Sequence, residues 1–248
     1  MLSKEEIVGV AHKQLALDYC CRVEDFYKKE NTISEKILIS GRRIYDSDNC
    51  YLKILCINGN VIISTNKNFI PWCKENYSTC GSQWFSDCDN LRKIDNELQK
   101  QGHEIADIHH YYLPNTNKIE QDINFSVKWF EENEIIKFRG DDRFDEAFAF
   151  DKNHPDVLGV AAMDGDTIMG MAGASEDSST MWQIGIDVLP EYRGRGIASK
   201  LVTLLKEEVL KRGKVPFYGT AESHIFSQNV AINAGFFPAW LELYSKCQ

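Results

Sequence analysis

The chain lacks the marks of several protein classes. No apolar run approaches the roughly 18 residues that a membrane-spanning helix needs. The opening residues, M-L-S-K-E-E-I-V-G-V, turn acidic too early for a secretory signal, and a cytoplasmic protein is expected. Surplus basic charge is also missing. The net charge is −9 and both halves are acidic, so no nucleic-acid partner is expected. An acidic surface serves solubility, and it equally attracts a cationic amine. Eight cysteines stand at positions 20, 21, 50, 56, 73, 80, 88 and 247, yet no C-x-x-C occurs among them. Histidines 12, 103, 109 and 110 do not complete a metal-ligand spacing, so no metal is expected and the thiols read as reduced and mostly buried.

What is present is ordinary globular material: 43% hydrophobic and 26% charged residues in 248 positions, enough for one large or two small domains. Ser3 and Glu6 form a capping box ahead of a helical stripe (Ile7, Val10, Ala11, Leu15, Leu17), which predicts a helix over 3–18. Asn58-Gly59 between two β-prone runs predicts a hairpin over 51–65. Short helices follow at 69–77 and 87–101, then a strand at 103–113. The polar stretch P-N-T-N-K-I-E-Q-D at 114–122 reads as a domain boundary. Residues 1–122 therefore form an α+β domain with no motif that names a chemistry, and residues 123–248 form a second domain.

The second domain is more regular. Strands are predicted at 124–130, 156–163, 167–174, 181–188, 215–220 and 237–244, with a short helix within 141–150. A long amphipathic helix covers 196–212, with Ile197, Leu201, Leu204, Leu205 and Val209 inward and Lys206 outward. A second helix, 224–234, turns Phe226, Val230, Ala231 and Ala234 inward. Between strand 181–188 and the long helix lies P-E-Y-R-G-R-G. A glycine-bearing turn opening a helix is an anion site, because the unpaired N–H groups of the first turn lie at the positive end of the helix dipole.

Two motifs in this half resemble those of the GNAT superfamily of acyl-CoA-dependent N-acetyltransferases. The first is Arg193-x-x-Gly196-x-Ala198, with Val188, Pro190, Tyr192, Arg193 and Gly194 as its lead-in. The second is H-I-F-S-Q-N-V-A-I-N-A-G-F, His224 to Phe236, in which Ser227, Val230, Ala231, Gly235 and Phe236 match and His224 stands where asparagine is common. The resemblance covers about residues 126–248 and is closest to a bacterial subgroup carrying an extra N-terminal region. It implies a mixed, partly splayed sheet flanked by helices, and acetyl-CoA as donor. It places the pyrophosphate against the main chain of Arg193, Gly194, Arg195, Gly196, Ile197 and Ala198, and the pantetheine arm along Ile186 and Val188, with Ser227 near the cofactor. Gly185 would mark a bulge that permits the splay.

The catalytic groups are less defined. The tyrosine that many members place four residues before Gly-Phe is Ala231 here. Tyr218 and Tyr244 are nearby substitutes that read better as packing aromatics. For the base, Asp187, Glu222 and His224 are the candidates, although Glu222 and His224 read equally as a surface acid and a helix-start residue. The implied activity is acetyl transfer to a primary amine of a small molecule or peptide, the N-terminal domain shaping the acceptor pocket. The alternative is a non-catalytic acyl-CoA sensor.

Overall fold

A computed structural model describes residues 2–44, 49–117 and 122–248. The domain boundary expected within 114–122 thus lies partly outside the described residues. The chain divides into two compact units. One comprises Met1–Ala11 and Tyr112–Pro238; the other comprises His12–Tyr111 and Ala239–Gln248.

Helix α1, Lys4–Asp18, starts where its capping box predicts. The Glu6 carboxylate accepts from the Ser3 N–H at 2.7 Å, and the Ser3 hydroxyl accepts from the Glu6 N–H at 3.2 Å. In the unit of residues 12–111 and 239–248, strands β1 (Thr32–Glu35), β2 (Leu52–Ile57), β3 (Asn60–Thr65), β4 (His103–Pro114) and β10 (Phe236–Cys247) lie in the order β1-β3-β2-β10-β4. The hairpin turn sits on Asn58 and Gly59, both at positive φ (51° and 84°), as a type I′ turn requires. β1 has no alternating pattern in the sequence; it is held by parallel pairing to β3, from Thr32↔Ile62 to Glu35↔Thr65. Helices α2 (Ile70–Tyr77) and α3 (Cys88–Gln99) contribute Cys73, Tyr77, Ile94 and Leu98 to a core with Leu52, Ile54, Ile63 and Leu243.

This unit also buries a linked group of charged residues, Asp18, Arg43, Lys53 and Glu242. The Arg43 guanidinium bonds the Asp18 and Glu242 carboxylates, each at 2.6 Å, and the Lys53 ammonium donates to the Asp18 carbonyl at 2.6 Å. The Trp240 indole N–H donates to the same Glu242 carboxylate at 2.9 Å. All eight cysteines are free, but only Cys50 and Cys73 are fully buried, so the expectation of mostly buried thiols is too strong.

The other unit carries strands β5 (Ser126–Glu131), β6 (Asp156–Asp164), β7 (Thr167–Glu176), β8 (Met181–Val188) and β9 (Val215–Ala221). β5 to β8 run antiparallel in sequence order, and β9 joins β8 in parallel. A four-residue helix α4, Glu132–Ile135, follows β5. The helix predicted within 141–150 is only one 3₁₀ turn, Asp142–Phe144. That segment instead lies flat over glycines: a Cβ on Gly173 would sit 1.9 Å from the Ala147 carbonyl oxygen, and one on Gly185 would sit 1.8 Å from that of Glu146.

Helices α5 (Ile197–Lys211) and α6 (Ile225–Asn233) complete the unit. Ile197, Leu201, Leu205 and Val209 of α5 pack with Leu158, Val160, Ala172 and Ile184 of the sheet and Ala231 of α6. Two side chains depart from the predicted faces. Lys206 points inward, its ammonium donating at 2.7 Å to the carbonyl of Ala234, which ends α6. Phe226 points outward and is 85% exposed. A helical pattern places residues on faces, but a lysine can be drawn inward by an orphan carbonyl at a helix end.

Candidate acyl donor site

The parallel ladder between β8 and β9 runs from Met181↔Val215 to Ile184↔Tyr218. β8 continues to Val188 alongside β7, in regular register through Gly173↔Gly185 to Gly170↔Val188. The two parallel strands therefore part after Ile184 and Tyr218, and the splay involves no bulge at Gly185 in the β7–β8 ladder. Gly185 is glycine for a different reason: the Glu146 carbonyl occupies the space of a side chain.

A cleft of about 520 Å³ opens at this parting and reaches the glycine turn. Its walls include Ile186 and Val188 of β8, Tyr218 of β9, the segment around Arg193, Gly194, Gly196, Ile197, Ala198 and Ser199, and His224, Phe226, Ser227 and Val230 of the α6 region. Gly194 (φ 77°) and Gly196 (φ 74°) both occupy the left-handed region, which L-residues rarely enter. A Cβ at either would meet nothing within 4 Å, so the backbone here faces open space. Gly196 is the N-cap of α5 and brings no side-chain cap, which leaves the first-turn N–H groups directed at the cleft.

The arginine side chains do local work. The Arg193 Nε donates to the Val188 carbonyl at 2.9 Å, tying the turn to the end of β8. Arg195 donates to the Glu191 carbonyl at 3.1 Å and lies over the Tyr192 ring. Both side chains remain exposed, with further N–H groups on each guanidinium.

Tyr218 and Ser227 meet in the cleft wall, their hydroxyl oxygens 2.9 Å apart. The Tyr218 ring is buried. Burial pushes its pKa up to about 12, the Ser227 hydrogen bond works against that rise, and the negative charges of Glu146 and Asp187 reinforce it.

The three candidate bases are not brought together. His224 lines the cleft as the N-cap of α6. Glu222 lies in the exposed turn before it, where its carbonyl accepts from the Gln228 amide at 2.7 Å. Asp187 lies between Ile186 and Val188 on β8, so strand alternation sends it to the opposite face. There its Oδ2 accepts the N–H groups of Glu146 (3.0 Å) and Ala147 (2.9 Å). Burial raises the Asp187 pKa; the two N–H bonds lower it, and the carboxylates of Glu146 and Asp145 raise it.

A model of the acetyltransferase (GNAT) family matches residues 117–236. This segment is a GNAT-family domain. No curated protein matches the sequence. Among solved structures, a GCN5-related N-acetyltransferase-like protein from Streptococcus suis is similar at 15% identity, covering 85% of this chain and 90% of its own, with a TM-score of 0.49. A GNAT-family acetyltransferase from Colwellia psychrerythraea aligns over 82% and 84% of the two chains at 14% identity and a TM-score of 0.46. A putative acetyltransferase from Salmonella typhimurium, solved with its cofactor acetyl-CoA, aligns over 50% of this chain and 94% of its own at 12% identity and a TM-score of 0.37.

Within the GNAT domain, the cleft gathers Ile186, Val188, Arg193, Gly194, Gly196, Ile197, Ala198 and Ser227, all singled out in the sequence. Tyr192, Ser199, Phe226 and Val230 join them without having been site candidates, as does Tyr218, which the sequence offered as a substitute for the motif tyrosine but favoured as a packing aromatic. Tyr218 had a readable signal: it lies on the strand immediately before the second motif, where the motif itself lacks a tyrosine. What the sequence did not carry is that its hydroxyl ends beside Ser227.

Proposed function

We propose that the protein transfers an acetyl group from acetyl-CoA to a primary amine of a small molecule or peptide. The observation that carries this reading is the parting of β8 and β9 over a cleft that ends at an open glycine turn and contains a buried tyrosine hydroxyl.

Acetyl-CoA, when bound, supplies a thioester whose acyl group passes to the amine with release of a thiol. The chain's residues fit such a molecule. The N–H groups of Gly194 to Ala198 offer donors to a diphosphate, and the parted edge of β8 at Ile186 to Val188 offers backbone partners to an amide-bearing arm. Ile186, Val188, Ile197 and Val230 give that arm apolar walls. Tyr218 then donates a hydrogen bond to the developing negative charge on sulfur, with Ser227 orienting its hydroxyl.

We assign removal of the amine proton to Asp187. Its Oδ2 holds the segment at Glu146 and Ala147, and its Oδ1 is the basic lone-pair site. Burial raises its pKa, which makes its carboxylate a stronger base. Asp187 lies just beyond the point where β8 parts from β9, on the face of β8 away from Ile186 and Val188, so in this reading the amine approaches from that face. Together with Glu146 and Asp145 it favours a cationic acceptor. Glu222 lies in the exposed turn before α6 and His224 is the N-cap of that helix, and this reading assigns the amine proton to neither.

The test has two arms. Acetyl-CoA at about 100 times its Kd should stabilise the fold by about 2.7 kcal/mol, a melting shift of several degrees. Thiol release from acetyl-CoA should then depend on the amine offered from a panel of polyamines, amino sugars and peptide N-termini. A melting shift without thiol release for any amine would favour the sensor reading. No shift at millimolar acetyl-CoA would refute both.

A further inference from the structure

Among the described residues Phe226 is the most exposed large hydrophobic side chain, at 85%, and it stands in the first turn of α6 in the wall of the cleft. Its neighbour Ile225 is 58% exposed. Globular helices ordinarily turn such residues inward, and α6 does so with Ala231 and Ala234, both fully buried. Nothing about helix stability asks for a phenylalanine on the solvent side. It is one residue before Ser227, whose hydroxyl faces the Tyr218 side of the cleft, so the ring projects from the same helix turn toward the outside.

We propose that Phe226 is a stacking platform for the adenine ring of the acyl donor, and that it makes the site selective for the nucleotide-bearing thioester over shorter pantetheine thioesters. This rests on the acetyl-CoA reading above. The arm and the diphosphate have partners inside the cleft, in β8 and in the glycine turn. The adenosine, joined beyond the diphosphate, has to leave through the mouth, and the flat apolar face offered there is Phe226. A base covers an aromatic ring without needing a specific hydrogen-bond pattern, and stacking of this kind is energetically significant for any purine.

The test compares two donors on three proteins by isothermal titration: acetyl-CoA, and S-acetyl-4′-phosphopantetheine, which lacks the 3′-phosphoadenosine and one phosphate of the diphosphate. Phe226→Ala should weaken acetyl-CoA binding about tenfold or more and leave S-acetyl-4′-phosphopantetheine binding unchanged. Phe226→Trp should restore the acetyl-CoA affinity. Because the side chain is exposed, neither substitution disturbs the core. Equal weakening of both donors, or unchanged acetyl-CoA binding by Phe226→Ala, would overturn the stacking role while leaving the donor assignment intact. Failure of the wild-type protein to bind acetyl-CoA would instead overturn the donor assignment itself and the stacking role with it.

Discussion

Tyr218→Phe separates chemistry from binding more sharply than any other single change. The substitution keeps the buried ring and removes only the hydroxyl that meets Ser227 at 2.9 Å. With a pKa of about 12 the phenol is neutral throughout the physiological range. A thiol ionises at about 8.5, so complete proton transfer from Tyr218 to a thiolate would be uphill by about 4.8 kcal/mol. In the proposed role Tyr218 therefore donates a hydrogen bond to sulfur and keeps its proton. A hydrogen bond to a charged group contributes about 1.5–3 kcal/mol, which converts to a kcat loss of roughly 12- to 160-fold. KM for acetyl-CoA should change little, because the bond strengthens only as charge develops. Steady-state thiol release across acetyl-CoA concentrations measures both quantities. The same hydroxyl has a stability signature. Its folded pKa lies above the ordinary value of 10, so the folded state holds a proton that the unfolded state loses between pH 10 and about 12. Wild-type stability should fall across that window by about 2.7 kcal/mol from this group, and Tyr218→Phe should not show that part of the fall. A kcat within about twofold of wild type would refute the donor role. A kcat loss matched by an equal loss of acetyl-CoA affinity would refute it as well.

Three further outcomes follow from the packing. Arg43→Met should cost about 3–5 kcal/mol in urea unfolding, because it strands the buried carboxylates of Asp18 and Glu242; a loss below 1 kcal/mol would mean that water reaches the cluster. Gly185→Ala should lower stability by about 1–3 kcal/mol and reduce turnover, since the new Cβ would lie 1.8 Å from the Glu146 carbonyl and must displace that segment; unaltered melting and turnover would contradict the contact. Asp187 has a raised folded pKa, so its contribution to stability is fully present below the ordinary aspartate range and is lost as pH rises through the folded value; Asp187→Asn should remove that part of the pH dependence and abolish most amine-dependent thiol release, and a rate equal to wild type would remove Asp187 from the mechanism.

The GNAT half was legible because its information is local. Val188 to Ala198 encodes strand, turn and helix start within one continuous stretch, and the two glycines are required at the positive φ values they adopt. Helix and strand positions followed from periodicity and caps. Side-chain destinations that depend on distant partners did not. Lys206 reads as a solvent-facing residue until the carbonyl of Ala234, 28 positions on, draws it in. Phe226 satisfies the inward pattern of α6 and yet faces out. β1 exists through its parallel pairing with β3, which no short window records. The Arg43–Glu242 bond joins residues 199 positions apart, and no spacing in the sequence announces it.

The site shows the same division between local and distant information. The proposed donor side draws on one strand, one turn and the first turns of two helices, so its motif spells it out. The reacting end we propose draws on Tyr218 of β9, Ser227 of α6, Asp187 of β8 and the segment at Glu146 and Ala147, which hydrogen bonds join as two separate groups. Glycines at 173 and 185 let the segment at Glu146 and Ala147 press flat on the sheet, and β8 and β9 part after Ile184 and Tyr218. Ala231 stands at the position of the usual motif tyrosine, and in the proposed site the hydroxyl comes instead from Tyr218, which reaches the same helix from the strand. A hydroxyl fixed on a buried strand and oriented by a serine loses less freedom on binding than one on an exposed helix turn, and such preorganisation is what makes a neutral donor effective toward a developing thiolate.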